Sequence, residues 1–184
     1  HASRKPRVMS LFAGGGGLDI GFEDAGFDVT CQVEIDSRFV QTLRHNAHGS
    51  ARAIFDIDVR RFSPANHEIG QIDFIIGGPP CQTFSAAGRR ASGAAGLHDE
   101  RGTLFQQYVR LLNELQPLGF LFENVAGITG ANDGRAWALI QQAFAAAGYR
   151  VLHRVVDAAD YGVPQHRERL IIVGTRTDTF AFPR

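Results

Sequence analysis

The sequence predicts an α/β fold, a doubly wound and mostly parallel sheet that ends in an antiparallel strand pair. Three observations carry that expectation. Short apolar runs alternate with segments of helical spacing, the pattern of repeated strand-helix-strand units. Glycines gather where the first and fourth apolar runs end, the places where a parallel sheet opens a crevice for ligands. The 184 residues, 44% hydrophobic, contain neither an internal repeat nor a linker, so these units share one core.

Arg7 to Phe12 reads as a buried strand, followed by a tight glycine turn and a short helix, Leu18 to Ala25, that Gly26 stops. The run from Phe27 alternates into a second strand ending at Glu34. Ser37 is expected to cap the next helix. A third short strand ends at Asp56, and a fourth, Asp73 to Gly78, delivers the chain into GGPPCQTFS. Ala86 to Glu100 is small, glycine-rich and polar, with too few large apolar residues to pack, and is expected to be a mobile loop. From Gly102 a helix places Leu104, Tyr108, Leu111, Leu112 and Leu115 on one face, until Pro117 ends it. GFLFENV is the fifth strand, GRAWALIQQAFAAAG a helix, and YRVLHRVVDA with RLIIVGTR the closing strand pair.

Charge excludes several classes. Acidic and basic residues number 19 each, so no global field draws the chain to a polyanion, and any such contact is local. All but one of the basic residues are arginine, Lys5 being the exception, a bias that GC-rich coding also produces. Cys31 and Cys81 stand in no paired CxxC spacing, which argues against structural zinc or a disulfide scaffold and fits a reducing interior. No apolar run approaches membrane-spanning length, so no membrane partner is expected.

Four signals point to chemistry. The Phe12 to Gly17 turn lets the backbone approach a ligand at a helix N-terminus, although Asp19 occupies the third glycine of a dinucleotide fingerprint, which weakens a pyrophosphate reading. Glu34, 20 residues beyond Gly14 at a strand end, can accept two ribose hydroxyls, so an adenosine-bearing cofactor is indicated. Such a turn also occurs where it merely packs. Cys81 follows Pro79 and Pro80, which would hold a nucleophilic sulfur rigidly, whereas Cys31 inside a strand reads as a small buried hydrophobe. Glu123 ends an apolar strand and is expected to be partly desolvated, with a raised pKa. Arg167 and Arg169 alternate and so share a face able to hold one anionic or carbonyl group; alone, they equally fit a solvated edge.

Taken together, SLFAGGGGLDIGFEDAGF, VEID, GGPPCQTFS, RGTLF, ENV and QHRERLIIVG resemble the catalytic half of the C5-cytosine DNA methyltransferase family, from about Val8 to Arg176. The resemblance implies a Rossmann-like methyltransferase fold that uses S-adenosylmethionine and leaves S-adenosylhomocysteine. It implies Cys81 as the nucleophile that adds to C6 of a flipped-out cytosine, with Pro80 beside it, Glu123 on the base, and Arg167 and Arg169 holding base and loop. It implies a cofactor site at Phe12, Gly14, Gly16, Gly17, Glu34, Asp56, Ile57 and Pro79, with Asp58 a neighbouring candidate. Ser85, Arg89, Arg90 and Arg101 would meet double-stranded DNA. On this reading residues 1–6 are a tag-derived tail and 7–184 the catalytic domain, acting in the bacterial cytoplasm at the nucleoid. Family members continue past TFAFP into a target-recognition domain and two further motifs, which this sequence lacks. A split restriction-modification enzyme with a complementary subunit is the expectation, a truncated chain its competitor. A tRNA methyltransferase and a non-catalytic regulatory subunit are the alternative functions.

Overall fold

The computed structural model describes residues 4–47, 52–80, 102–130, 134–177 and 180–183. Four of the five residues of β1 (Arg7–Leu11) are buried, the apolar Val8, Met9 and Leu11 with Ser10, which makes it a strand covered on both faces, and it lies inside the sheet between β2 and β4. The other strands are β2 (Asp28–Glu34), β3 (Ala53–Asp56), β4 (Phe74–Gly77), β5 (Gly119–Val125), β6 (Arg150–Asp157) and β7 (Glu168–Thr175). They form one seven-stranded sheet in the order β3-β2-β1-β4-β5-β7-β6. The first five strands pair in parallel, whereas β7 inserts between β5 and β6 and runs antiparallel to both. The predicted closing pair is therefore a hairpin whose second strand docks on the parallel part.

The helices are α1 (Gly17–Asp24), α2 (Ser37–Asn46), α3 (Gly102–Leu115) and α4 (Arg135–Ala146). One face of the sheet is sealed by α3 and α4. Tyr108, Leu111 and Leu112 of α3, with Ile140 and Phe144 of α4, join Met9, Leu11, Ile75, Phe120, Phe122 and Ile172 in a single core. The Tyr108 hydroxyl, buried with its ring, lies 3.1 Å from the Ile75 carbonyl and 2.9 Å from that of Leu121, which fixes α3 over β4 and β5. α1 lies on the other face, with Leu18 and Phe22 against Val8, Val29 and Ile76. That cover is narrow: beside α1 an apolar groove of about 660 Å³ runs over Phe74, Leu121 and Val173 to Phe180.

Ser37 does not cap α2. The cap is Asp36, whose side chain accepts from the Arg38 amide, so the serine stands inside the first turn. Arg38 also pairs with that carboxylate and holds its pKa down to about 2. Near the amino end, Arg4 grips Asp73 through two hydrogen bonds of 2.6 and 3.0 Å, joining the start of the chain to the start of β4. The Ala86 to Glu100 loop of the sequence reading lies outside the described residues.

Candidate active site

The carboxyl ends of β1, β2, β4 and β5 form one rim with two adjoining cavities. The chain leaves β1 through Phe12 and Gly14, both at φ 54, and Gly16 at φ 85. Glycine adopts this left-handed region freely, but for a bulky side chain such as Phe12 it is a strained conformation of the kind that clusters at binding sites. A β-carbon at Gly14 would meet nothing within 4 Å, so the turn needs glycine there for its dihedral angle rather than for space.

The larger cavity, about 410 Å³, is lined by Phe12, Gly14, Glu34, Ile57, Asp58 and Pro80 among others. Glu34 is 8% exposed. Its Oε2 accepts from the Gly14 amide at 2.8 Å, and its Oε1 from the amides of Ile35 at 2.9 Å and Asp36 at 2.8 Å. Three backbone donors thus fix the carboxylate, while each oxygen still faces the cavity with capacity to accept again. Of the residues expected to hold a cofactor, Phe12, Gly14, Glu34 and Ile57 line this space, as does Pro80. Gly16 is instead packed toward Leu43, and Gly17 opens on the apolar groove. Pro79 is buried behind the wall, where its carbonyl accepts from Asn124 Nδ2 at 3.1 Å. Asp56 is exposed at the end of β3; Asp58 lines the cavity, its carboxylate bound by Arg60 at 2.5 Å.

The smaller cavity, about 260 Å³, shares Phe12 and Gly78 with the larger one and reaches Ser10 and Glu123. Glu123 is paired with Arg169, Oε1 to Nε at 2.9 Å, and the two side chains are 31% and 22% exposed. The carboxyl is thus partly buried at the end of an apolar strand, and it meets an arginine from β7 with which the sequence reading did not pair it. A β-carbon at Gly78 would collide with Glu123 Oε2, so the second glycine of GGPP lets the acid lie against the loop. Arg167 does not join this pair. It is exposed in the β6–β7 turn, its amide donating to Asp157 Oδ1 at 2.8 Å.

Cys81, Ser85, Arg89, Arg90 and Arg101 lie outside the described residues. Cys31 is fully buried, and desolvation pushes its thiol up to about 12, which makes it inert. Among the described residues no group of His, Cys, Asp and Glu could hold a metal ion, and no helix is long and apolar enough to cross a membrane.

Sequence reasoning missed the contributions of four residues. Ile35, 62% exposed, Phe39, 45% exposed, and Leu104 supply apolar wall to the larger cavity. Nothing in the sequence sets them apart from ordinary core positions. Asn124 was legible as part of ENV, but its job of tethering the Pro79 carbonyl was not. The available signal was a polar side chain in phase with Phe120 and Phe122, hence pointing into the packed face.

Comparison with known proteins agrees with this geometry. Residues 6–183 match the family model of C-5 cytosine-specific DNA methylases. The Type II methyltransferase M.FnuDI of Fusobacterium nucleatum is 40% identical over 181 residues, which cover 96% of this chain and 50% of that protein. M.AquIA of Picosynechococcus, also a Type II methyltransferase, is 40% identical over 192 residues, covering 96% of this chain and 75% of that one. A crystal structure described as a prophage DNA modification methyltransferase of E. coli superposes with a TM-score of 0.75 at 34% identity, over 94% of this chain and 47% of that one. DNMT2 from Spodoptera frugiperda shares the fold, with a TM-score of 0.76 at 21% identity over 98% of this chain and 53% of that one. The chain spans about half the length of M.FnuDI, the first of these relatives.

Proposed function

Because the chain belongs to the C-5 cytosine-specific DNA methylase family, we propose that it is the catalytic part of an enzyme that methylates C5 of cytosine in double-stranded DNA, with S-adenosylmethionine as donor. The single observation that carries this reading is the rim itself, where a cavity ending at Glu34 adjoins one ending at Glu123, with Gly78 and Phe12 common to both. An adenosyl group fits the first: Glu34 offers acceptor capacity for ribose hydroxyls, and Phe12, Phe39 and Ile57 offer apolar wall to a flat base. When bound, the donor supplies a methyl carbon made electrophilic by a sulfonium.

The chain's own residues handle the pyrimidine. Cytosine C5 is a weak nucleophile, so the Cys81 thiolate adds to C6, the ring electrons shift toward N3, and C5 becomes able to take a methyl group. Glu123, braced by Arg169, hydrogen-bonds N3 and the amino group, where charge develops as the sulfur adds. A base then removes the C5 proton, and the electron pair expels the thiolate. The target must leave the duplex for this, at a cost of a few kcal/mol in unstacking. Ser85, Arg89, Arg90 and Arg101 are proposed phosphate contacts that position the strand without reading it. DNA of the bacterial nucleoid would be the setting.

Target recognition is proposed to come from a complementary subunit or the remainder of a longer chain. Two observations support a separate subunit. The Picosynechococcus relative is spanned to 75%, against 50% for M.FnuDI, so proteins well short of twice this chain's length occur in the family. The apolar groove over Phe74, Leu121 and Val173 is a surface that an additional segment would cover. The test is tritiated methyl transfer to duplex DNA and, in parallel, to tRNA, with and without a co-expressed neighbouring polypeptide, using wild type and Cys81→Ser. The expected result is transfer to DNA, enhanced by the partner, with Cys81→Ser abolishing both transfer and covalent trapping on 5-fluorocytosine DNA. Trapping that survives in Cys81→Ser, or label in tRNA alone, would overturn the proposal.

A further inference from the structure

Asp19, the residue that replaces the third glycine of a dinucleotide fingerprint, is 1% exposed in the first turn of α1. Its Oδ2 accepts from Gln32 Nε2 at 2.6 Å, a buried hydrogen bond between helix and strand. In the same cluster Ser10 Oγ, Asp19 Oδ1 and Gln32 Oε1 are buried without a hydrogen bond of good geometry, although Ser10 lies close enough to favour the Asp19 carboxylate, so the cluster is polar at considerable cost. Packing alone would have been served by the glycine or by an apolar side chain. Among the described residues no salt bridge reaches the carboxyl: Arg52, which acts on it through space, is bound to Glu23 and to the Val29 carbonyl.

Position explains the cluster. Gln32 and Glu34 are two apart on β2 and so lie on one face of the strand. Glu34 holds Gly14 at the start of the glycine turn, and Gln32 holds Asp19 just beyond its end. β2 therefore pins the turn at both ends. On the reading given above, the carboxylate that holds the Gly14 amide also accepts from the ribose hydroxyls, so that end of the grip is shared with the donor, whereas the Asp19 end is not. We propose that the Asp19–Gln32 hydrogen bond is the positioning latch that keeps the glycine turn in its ligand-ready conformation while Glu34 serves the ribose, and that it thereby sets affinity for the donor. The latch works through hydrogen bonding rather than charge. Burial raises the Asp19 pKa, which agrees with a cluster that does not depend on an ion pair.

The experiment is calorimetric titration of the folded protein with S-adenosylmethionine, together with KM and kcat for the donor in the active complex. Asp19→Leu and Gln32→Met are expected to weaken binding about tenfold, the size of one buried hydrogen bond to a carboxyl group. KM should rise by the same factor with kcat unchanged. Asp19→Asn, which keeps an acceptor for Gln32, should bind within about threefold of wild type, and the double variant Asp19→Leu with Gln32→Met no worse than either single one. Wild-type affinity in Gln32→Met, loss in Asp19→Asn equal to that in Asp19→Leu, or a fall in kcat alone would overturn the latch. If Asp19→Leu does not fold, Gln32→Met and Asp19→Asn still decide. Glu34→Ala separates the two readings: if it leaves affinity unchanged, the ribose assignment fails; if it weakens binding while Gln32→Met does not, the latch alone fails.

Discussion

The ends of β2 and β5 each present one glutamate to the rim, and the two are held in opposite ways. Glu34 is nearly buried and fixed by three backbone amides, a geometry built into the strand-turn connections themselves. Glu123 is about a third exposed and held by one side chain, Arg169, that arrives from the far part of the sheet across the β5–β7 pairing. Backbone donors cannot be rearranged without unfolding the turn, whereas a rim ion pair can open and re-form around a substrate. The parallel half of the sheet is therefore preorganised for a small constant ligand. The antiparallel half offers an adjustable group to something that comes and goes. That division suits a donor shared by every turnover and a base that must be drawn from a duplex.

Breaking the adjustable end should have the largest effect. Glu123→Ala is expected to lower methyl transfer by about 10²- to 10³-fold, the usual cost of removing one group aimed at developing charge. Donor binding measured by calorimetry should stay at the wild-type level, since Glu123 faces the other cavity. Equal losses in binding and turnover would show that the two ends are not separate. Arg169→Ala sharpens the same point with a smaller change. It leaves the acid in place but unbraced, so transfer should fall by about tenfold, with Arg169→Lys recovering part of it through charge without the directional Nε contact.

How far the sequence foretold this contrast depends on the range of each interaction. Strand and helix positions were legible because burial on a sheet imposes periodicity two and on a helix 3.6, and GFLFENV is observed as β5 residue for residue. Glu34 was legible because turn, helix and strand place it at a fixed distance from Gly14. The ion pair of Glu123 was not: the arginine that meets it lies 46 positions later on a strand whose place in the sheet the sequence does not state. Asp36 rather than Ser37 capping α2 is a one-residue version of the same problem, since both side chains suit the cap and the turn geometry chooses. Asp19 was read as a reason to doubt a phosphate site, and its partner Gln32, buried inside a strand of apolar neighbours, gave the missing half of its meaning.

The smallest expected effect concerns the hairpin turn that carries the exposed Arg167. Asp157 accepts from the amides of Ala159 and Arg167 and from His166 Nδ1 at 2.9 Å. The histidine is the main cause that holds the Asp157 pKa at about 2, and the carboxylate in turn raises the His166 pKa above 6.5, with Asp160 adding to the rise. The link therefore stabilises the hairpin fully between about pH 3.8 and 6.5; it is lost as pH rises through the raised His166 value and, at the other end, as pH falls through the Asp157 value of about 2. Both side chains are solvent-screened, so the global melting temperature should not move. An NMR titration should show His166 changing charge above 6.5, with the Arg167 amide shift following the same curve. Asp157→Asn should return His166 to the ordinary value and uncouple the two signals. A wild-type His166 that titrates at or below 6.5 would mean that the hairpin is not held by this pair, and that the antiparallel half is adjustable along its whole outer edge rather than at Glu123 alone.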